Sequence, residues 1–340
     1  MSEARPDGAG PAAPLAVSMG DPAGIGPECI AKAWERRDAE GLRPFFAVGD
    51  PRAIAAVWPG PLARIGDPAE AHGRFADALP ILEVEDAGDI VSGHPNMPGA
   101  RCAIMALEMA VGLARSGAAG GVVTGPVSKG DLYAIGFTHP GQTEFVAERC
   151  GVSPGNVAMM LAGPSLRTVC LTAHVALADV SALLSVDAIV ARARVVARGL
   201  QRDFGIAAPR LAIAGFNPHA GEHGALGREE VEVLIPAVEQ LREEGLDVAG
   251  PLAADTMFHP RARARYDAAL CCYHDQALIP LKTLHFDEGV NITLGLPIVR
   301  TSPDHGTAFE IAGMNRALPG ATVAAIRMAA EAAERRLAAA

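Results

Sequence analysis

Three histidines each close a short apolar run: His174 follows RTVCLTA, His219 follows LAIAGFNP and His274 follows DAALCCY. Runs of that length between turn residues read as buried parallel strands, and open α/β sheets bind ligands at the carboxyl ends of such strands. Intervals of 45 and 55 residues leave room for the crossover helices that parallel strands require, so the three imidazoles can share one composite site. Three neutral imidazoles with open coordination positions suit a catalytic divalent metal better than a closed structural one. Taken singly, each histidine is equally a polar residue satisfying a buried loop. The neighbours favour the metal reading: Asn217, Pro218, Gly221 and Glu222 surround His219, and Asp275 and Gln276 follow His274. Such residues hydrogen-bond and orient a ligating ring.

Strands ending in these residues need crossover helices and a core, and the composition supplies both. Half of the 340 residues are hydrophobic, enough for a large core divided between two domains. Leu15 to Met19, PFFAVGD and ILEVED read as strands, and residues 157–161 and 166–171 as a hairpin turned at Gly163 and Pro164. Helical periodicity marks Ala100 to Ala114, Ser185 to Leu200 and Arg228 to about Glu244, with Glu229 and Glu230 in the first turn favouring the helix dipole. Alternating strands and helices predict an α/β fold with a largely parallel sheet. Residues 1–13 read as a disordered tail, 14–135 with 285–340 as a first domain, and 136–284 as a second domain carrying the histidines. Charge, proline or glycine interrupts every long apolar stretch, and no basic apolar leader opens the chain, so the expectation is a soluble cytoplasmic protein with no membrane partner.

A net charge of −10 without a basic tract argues against nucleic acid. The six cysteines show neither metal-knuckle nor disulfide spacing and read as small buried hydrophobes. Among 29 cationic residues only Lys32, Lys129 and Lys282 are lysines. Lys129 in TGPVSKG and Lys282 in HDQALIPLK read as ammonium groups placed in glycine- or proline-rich loops. With Asn291 and the planar fork of Arg300 they predict a cationic pocket for a small anionic substrate. GDPAGIGPE, after the first strand, has glycines for tight turns and Pro27 for a helix start, but is neither a dinucleotide fingerprint nor a P-loop. Asp21 and Glu28 there read as loop caps. No nucleophile elbow appears, which favours metal-assisted over covalent chemistry.

From Leu15 to the C-terminal helix the chain resembles the 4-hydroxythreonine-4-phosphate dehydrogenase family of pyridoxal phosphate biosynthesis. The resemblance lies in MGDPAGIGPE, TGPVSK, GQTEF, TAHVAL, GFNPHAGEHGALGREE, GPLAADTMF, YHDQALIPLK, VNITLGLP and RTSPDHGTAFEIAG. It implies a two-domain α/β/α homodimer like isocitrate and isopropylmalate dehydrogenases, with active sites in the interdomain cleft at the dimer interface. His174, His219 and His274 would bind the metal, His274 being that of the neighbouring subunit. Gln142, Thr143, Lys282, Asn291 and Arg300 would bind a phosphorylated substrate, and Lys282, Asp255 and Asp275 would act in catalysis. The metal would be zinc, with magnesium, cobalt or manganese as alternatives. PDHGTAFEIAG also resembles the adenosine loop of decarboxylating dehydrogenases, which places NAD, with NADP left open, near His305, Gly306, Thr307 and Ala308.

One residue departs from the family motif GHTEF: Gln142 stands where a histidine is expected. Glutamine donates a hydrogen bond but carries no proton near neutral pH. His139 compensates only if the HPG turn brings it inward. The expected reaction is oxidation of 4-phosphooxy-L-threonine to a β-keto acid that decarboxylates to 3-amino-2-oxopropyl phosphate. Gln142 keeps open a related dehydrogenase acting on 4-phospho-D-threonate, 4-phospho-D-erythronate or a dihydrodiol carboxylate. A non-redox phosphotransacylase is a more distant alternative.

Overall fold

The computed structural model describes residues 12–84 and 86–339. The expected N-terminal tail falls, up to residue 11, outside the described residues. The chain forms two compact units, one comprising the residues up to Ile135 with Thr307–Ala317, the other Gly136–Gly306 with the chain from Leu318 onward.

The first unit holds strands β1 (Leu15–Ser18), β2 (Phe45–Gly49), β3 (Leu62–Ile65), β4 (Leu79–Glu83) and β5 (Val122–Thr124). They lie in the order β3-β4-β2-β1-β5, every pair parallel. Phe45, Phe46, Ala47 and Val48 are all buried, as a strand covered on both faces requires. The helix Met97–Ser116 packs on β1 and β2. It starts where the Asn96 side chain accepts the Gly99 N–H and stops at Gly117, whose φ of 80° suits glycine. Among the described residues this helix alone has the length and apolarity to cross a bilayer, yet Ala103, Ala106, Leu107, Ala110 and Val111 face the core.

The second unit carries β6 (Ala158–Gly163), β7 (Leu166–Cys170), β8 (Arg210–Ala214), β9 (Asp247–Leu252), β10 (Ala268–Cys271), β11 (Val290–Leu294) and β12 (Arg300–Pro303). Their order is β12-β11-β6-β7-β10-β8-β9. The run β7-β10-β8-β9 is parallel, whereas β12-β11-β6-β7 is antiparallel. Period-two alternation splits the strands between two cores. Met160, Val169, Ile213, Leu270 and Ile292 pack with Ile189, Val196, Leu234 and Leu241 on one face, and Leu161, Ala212, Ala269 and Cys271 pack with Met257, Ala277 and Leu281 on the other. Helices therefore cover both faces. The helix Val186–Phe204 is capped by Ser185, which accepts the Ala188 N–H at 3.3 Å, and ends at Gly205 with φ 68°.

Residues 285–306 and the helix Gly320–Ala338 group with the second unit, where the sequence reading assigns them to the first. The reason is strand pairing: β11 forms a five-residue antiparallel ladder with β6, β12 pairs with β11, and the terminal helix packs on β12 and on the helix Val186–Phe204. The largely parallel sheet expected from the alternation is likewise interrupted by these antiparallel strands.

Candidate active site at the strand ends

Strands β7, β10 and β8 are adjacent and parallel, so their carboxyl ends open on one edge of the second unit. His174 lies just past β7, His274 just past β10 and His219 just past β8. The His174 and His274 rings are 5.8 Å apart between centroids. A cavity of about 330 Å³ opens here, lined by Thr172, His174, Leu177, Tyr273, His274 and Asp275 among others, a volume in the range of small-molecule sites. The His274 ring lies with Nδ1 2.7 Å from Asp275 Oδ1, leaving Nε2 as the nitrogen available to a ligand.

Two of the three histidines occupy left-handed backbone, His174 at φ 56° and His219 at φ 53°. For residues with a Cβ that region costs about 1–2 kcal/mol and persists where the surroundings impose it. His219 begins a run of five left-handed residues to His223. The donor chemistry, three imidazoles beside a carboxylate, suits a divalent ion. Among the described residues of one chain, however, no group of three or more histidine, cysteine or acidic side chains is placed to hold a metal.

Arg300, on β12, is 3% exposed. Its Nη1 lies 3.2 Å from Thr143 Oγ1 and 3.1 Å from Thr293 Oγ1. Burial pulls its pKa down to about 10, against the opposing pull of Glu144, so it remains a guanidinium at neutral pH. Thr143 and Gln142 are the first residues of the helix Gln142–Arg149, whose exposed N–H groups favour an anion. Asn291, on β11, has a buried Oδ1 without a hydrogen-bond partner among the described residues. Lys282 pairs with Asp304 at 3.0 Å. Both lysines expected in loops are helical: Lys282 lies in His274–His285, which contains Pro280, and Lys129 opens Lys129–Ala134. Asp255 is exposed in the short turn Ala254–Thr256.

His139 Nε2 lies 2.8 Å from Glu148 Oε2, and its ring packs edge-on against Phe145 at 5.3 Å. The sequence reading did not single out Thr293 or Glu144; the only signal for Thr293 is its two-residue offset from Asn291 on one strand face.

In the first unit the Thr307 carbonyl accepts the Ile25 N–H at 3.0 Å. A Cβ on Gly24 would lie 3.0 Å from that oxygen, so GDPAGIGPE and the residues after His305 are packed backbone to backbone. Ala308 is left-handed at φ 42°. His305 and Gly306 belong to the second unit; His305 Nδ1 lies 3.0 Å from the Gly306 carbonyl, and its Nε2 is buried without a partner among the described residues. Such an orphaned ring nitrogen is a natural contact for a ligand.

Asp21 and Glu28 cap loops, as the sequence implies. Asp21 Oδ1 accepts the Ala23 N–H at 2.9 Å, and Glu28 Oε1 accepts from Lys32 and from the Ala317 N–H. Burial raises the Asp21 pKa from 3.8 to about 6. The folded state therefore binds this proton more tightly than the unfolded chain. The resulting stability is present below pH 3.8 and is lost as pH rises through about 6. Asp21→Asn is expected to gain stability over wild type across that window, by on the order of 2–3 kcal/mol at most. Urea denaturation of both proteins at pH 4 and pH 7 checks it; an unchanged difference between them would refute the assignment.

Parallel strands delivering imidazole and carboxylate groups to their carboxyl ends define an α/β enzyme of the kind that binds small polar ligands there. Residues 43–329 match the family described as pyridoxal phosphate biosynthetic protein PdxA, and the chain belongs to that family. A 4-hydroxythreonine-4-phosphate dehydrogenase of Zymomonas mobilis is 56% identical over 95% of this chain and 96% of its own. The crystal structure of 4-hydroxythreonine-4-phosphate dehydrogenase from Klebsiella pneumoniae superposes with a TM-score of 0.84 at 34% identity, covering 94% of this chain and 99% of that one. A terephthalate 1,2-cis-dihydrodiol dehydrogenase from Burkholderia xenovorans is more distant, with a TM-score of 0.63 at 29% identity over 93% and 96% of the two chains.

Proposed function

We propose that the chain is a 4-hydroxythreonine-4-phosphate dehydrogenase that oxidises 4-phosphooxy-L-threonine, with NAD as hydride acceptor, to a β-keto acid that loses carbon dioxide to give 3-amino-2-oxopropyl phosphate. It works in the cytoplasm as a homodimer. The observation that carries this reading is the delivery of His174, His219 and His274 to the ends of three adjacent strands. On the family resemblance, His274 of the partner subunit would complete each site.

A divalent ion held by the histidines, zinc for preference, supplies the Lewis acidity that lowers the pKa of the substrate hydroxyl. The remaining work belongs to the protein. Asp275 fixes the His274 ring through Nδ1. Arg300, with Thr143 and the first turn of the helix Gln142–Arg149, holds an anionic end of the substrate, and Asn291 Oδ1 accepts from a substrate donor. Lys282 lies eight residues along the same helix from His274 and supplies an ammonium group for an anionic end of the substrate. Lys282, Asp275 and Asp255 are the candidates for moving the hydroxyl proton. His305 Nε2 and the backbone of Gly306, Thr307 and Ala308 hold the adenosine part of the cofactor, NADP being the alternative. Gln142 offers a neutral hydrogen bond to the substrate.

The test is NADH formation by purified, metal-reconstituted protein, with and without chelator, on 4-phosphooxy-L-threonine beside 4-phospho-D-erythronate. Chelator-sensitive turnover of the threonine compound alone is expected. Turnover of the erythronate alone would move the enzyme to the related dehydrogenase reading favoured by Gln142, and activity indifferent to chelator would reject the metal. In the same assay, inactive His174→Ala and His274→Ala proteins, mixed and refolded together, are expected to regain about a quarter of wild-type activity. Half the dimers are then hybrids with one intact shared site. No recovery on mixing would rule out shared sites.

A further inference from the structure

Resting on the reading of His174 and His219 as ligands, we propose that Glu229 and Glu230 are positioning residues that clamp the loop bearing His174 to the loop bearing His219. Glu229 bridges the two loops. Its Oε1 accepts from Ser181 Oγ at 2.8 Å, and its Oε2 accepts from Asn217 Nδ2 at 2.7 Å. Ser181 sits in the short helix Val180–Leu183 that follows His174, and its neighbour Val180 is 1% exposed in the core. Asn217 lies two residues before His219. One carboxylate thus ties together segments more than thirty residues apart in sequence, one following His174 and one leading into His219.

Glu230 secures the second loop from beneath. Its side chain is 1% exposed, and its two oxygens accept the Asn217 N–H at 2.7 Å and Asn217 Nδ2 at 2.9 Å. A Cβ on Gly221 would lie 2.5 Å from Glu230 Oε2, so the left-handed run closes directly over the carboxylate. Four of the five residues in that run, His219, Ala220, Glu222 and His223, carry a Cβ at φ between 42° and 55°. Local preference would release such a conformation. Charge-assisted hydrogen bonds to a buried carboxylate are strong enough to hold it. Hydrogen bonds from Asn217 and Ser181 also depress the Glu229 pKa, in keeping with an ionised clamp. The chain thereby fixes the separation of His174 and His219 before any ion binds, and a preformed donor spacing raises metal affinity.

The test titrates cobalt into metal-stripped full-length wild type, Glu229→Ala, Ser181→Ala and Glu229→Gln. It reads affinity by competition with a chelating dye, the visible absorption of bound cobalt, and the thermal midpoint. Glu229→Ala and Ser181→Ala are each expected to weaken cobalt binding about 10- to 100-fold and alter the cobalt spectrum, as loss of a residue orienting a ligand does. Glu229→Gln keeps an oxygen for Asn217 and an amide for Ser181, and is expected to recover most of the affinity. If Glu229→Ala does not fold, Ser181→Ala, which loses a single hydroxyl, decides alone. Wild-type affinity in that variant, while wild type itself binds cobalt, would overturn the clamp. Wild type that binds no cobalt would overturn the ligand reading itself, and the clamp with it.

Discussion

Exchange of His219 for alanine is expected to remove turnover and metal retention together while leaving the fold intact. The side chain is exposed beyond the end of β8, so its loss deletes no core contact and is expected to change stability by no more than about 0.5 kcal/mol. Its loss from a three-imidazole donor set is expected to lower kcat by about 10³-fold or more, the scale of a Lewis acid's contribution to stabilising a developing oxyanion. Steady-state kinetics, metal content of the purified protein and a thermal melt separate the cases. Retained activity with bound metal would remove His219 from the site. Lost activity with an unfolded chain would make the left-handed turn a folding element instead.

The second large effect concerns Arg300. Its guanidinium is buried against Thr143 and Thr293, and the fall of its pKa to about 10 records a desolvation cost. On the proposed reading an anionic group on the substrate would offset that cost on binding, so the charge would do more in the complex than in the free protein. Arg300→Met keeps much of the volume and discards the charge. KM is expected to rise by about 10- to 100-fold, the equivalent of a charged hydrogen bond worth about 1.5–3 kcal/mol. The thermal midpoint is expected to hold or rise, because a buried charge has been replaced by an apolar side chain. An unchanged KM would take Arg300 out of the substrate site, and a lower thermal midpoint would make it a structural residue.

The Gln142 position links these two effects. The His139 imidazole is bonded to Glu148 and packed edge-on against Phe145, and Gln142 offers a neutral amide at the position where the family motif carries an ionisable ring. On the proposed reading the charged contact at that end would fall to Arg300, and substrate affinity is expected to depend on it more heavily than the motif alone would suggest.

What the amino-acid order determined by itself was whatever depends on neighbours along the chain. The runs ending in His174, His219 and His274 became strands because their apolar residues alternate between two cores. Ser185 and Asn96 began helices because their side chains accept the first free N–H groups. The β6–β7 hairpin expected at Gly163 and Pro164 formed one residue later, turning at Pro164 and Ser165 with Gly163 still paired to Leu166. Delivery of three imidazoles to adjacent strand ends was legible for the same reason, since parallel strands with crossover helices leave their carboxyl ends on one edge. What only the tertiary structure decided depends on partners distant in sequence. Pairing of β11 with β6 carried residues 285–306 into the second unit. The Glu230 carboxylate, eleven residues beyond His219, underlies a left-handed run that no local preference would choose. Glu148 took up the His139 imidazole, and burial of β12 placed the Arg300 guanidinium in the interior. Hydrogen-bond partners and burial are set by which segments meet, and periodicity within a segment carries no record of that meeting.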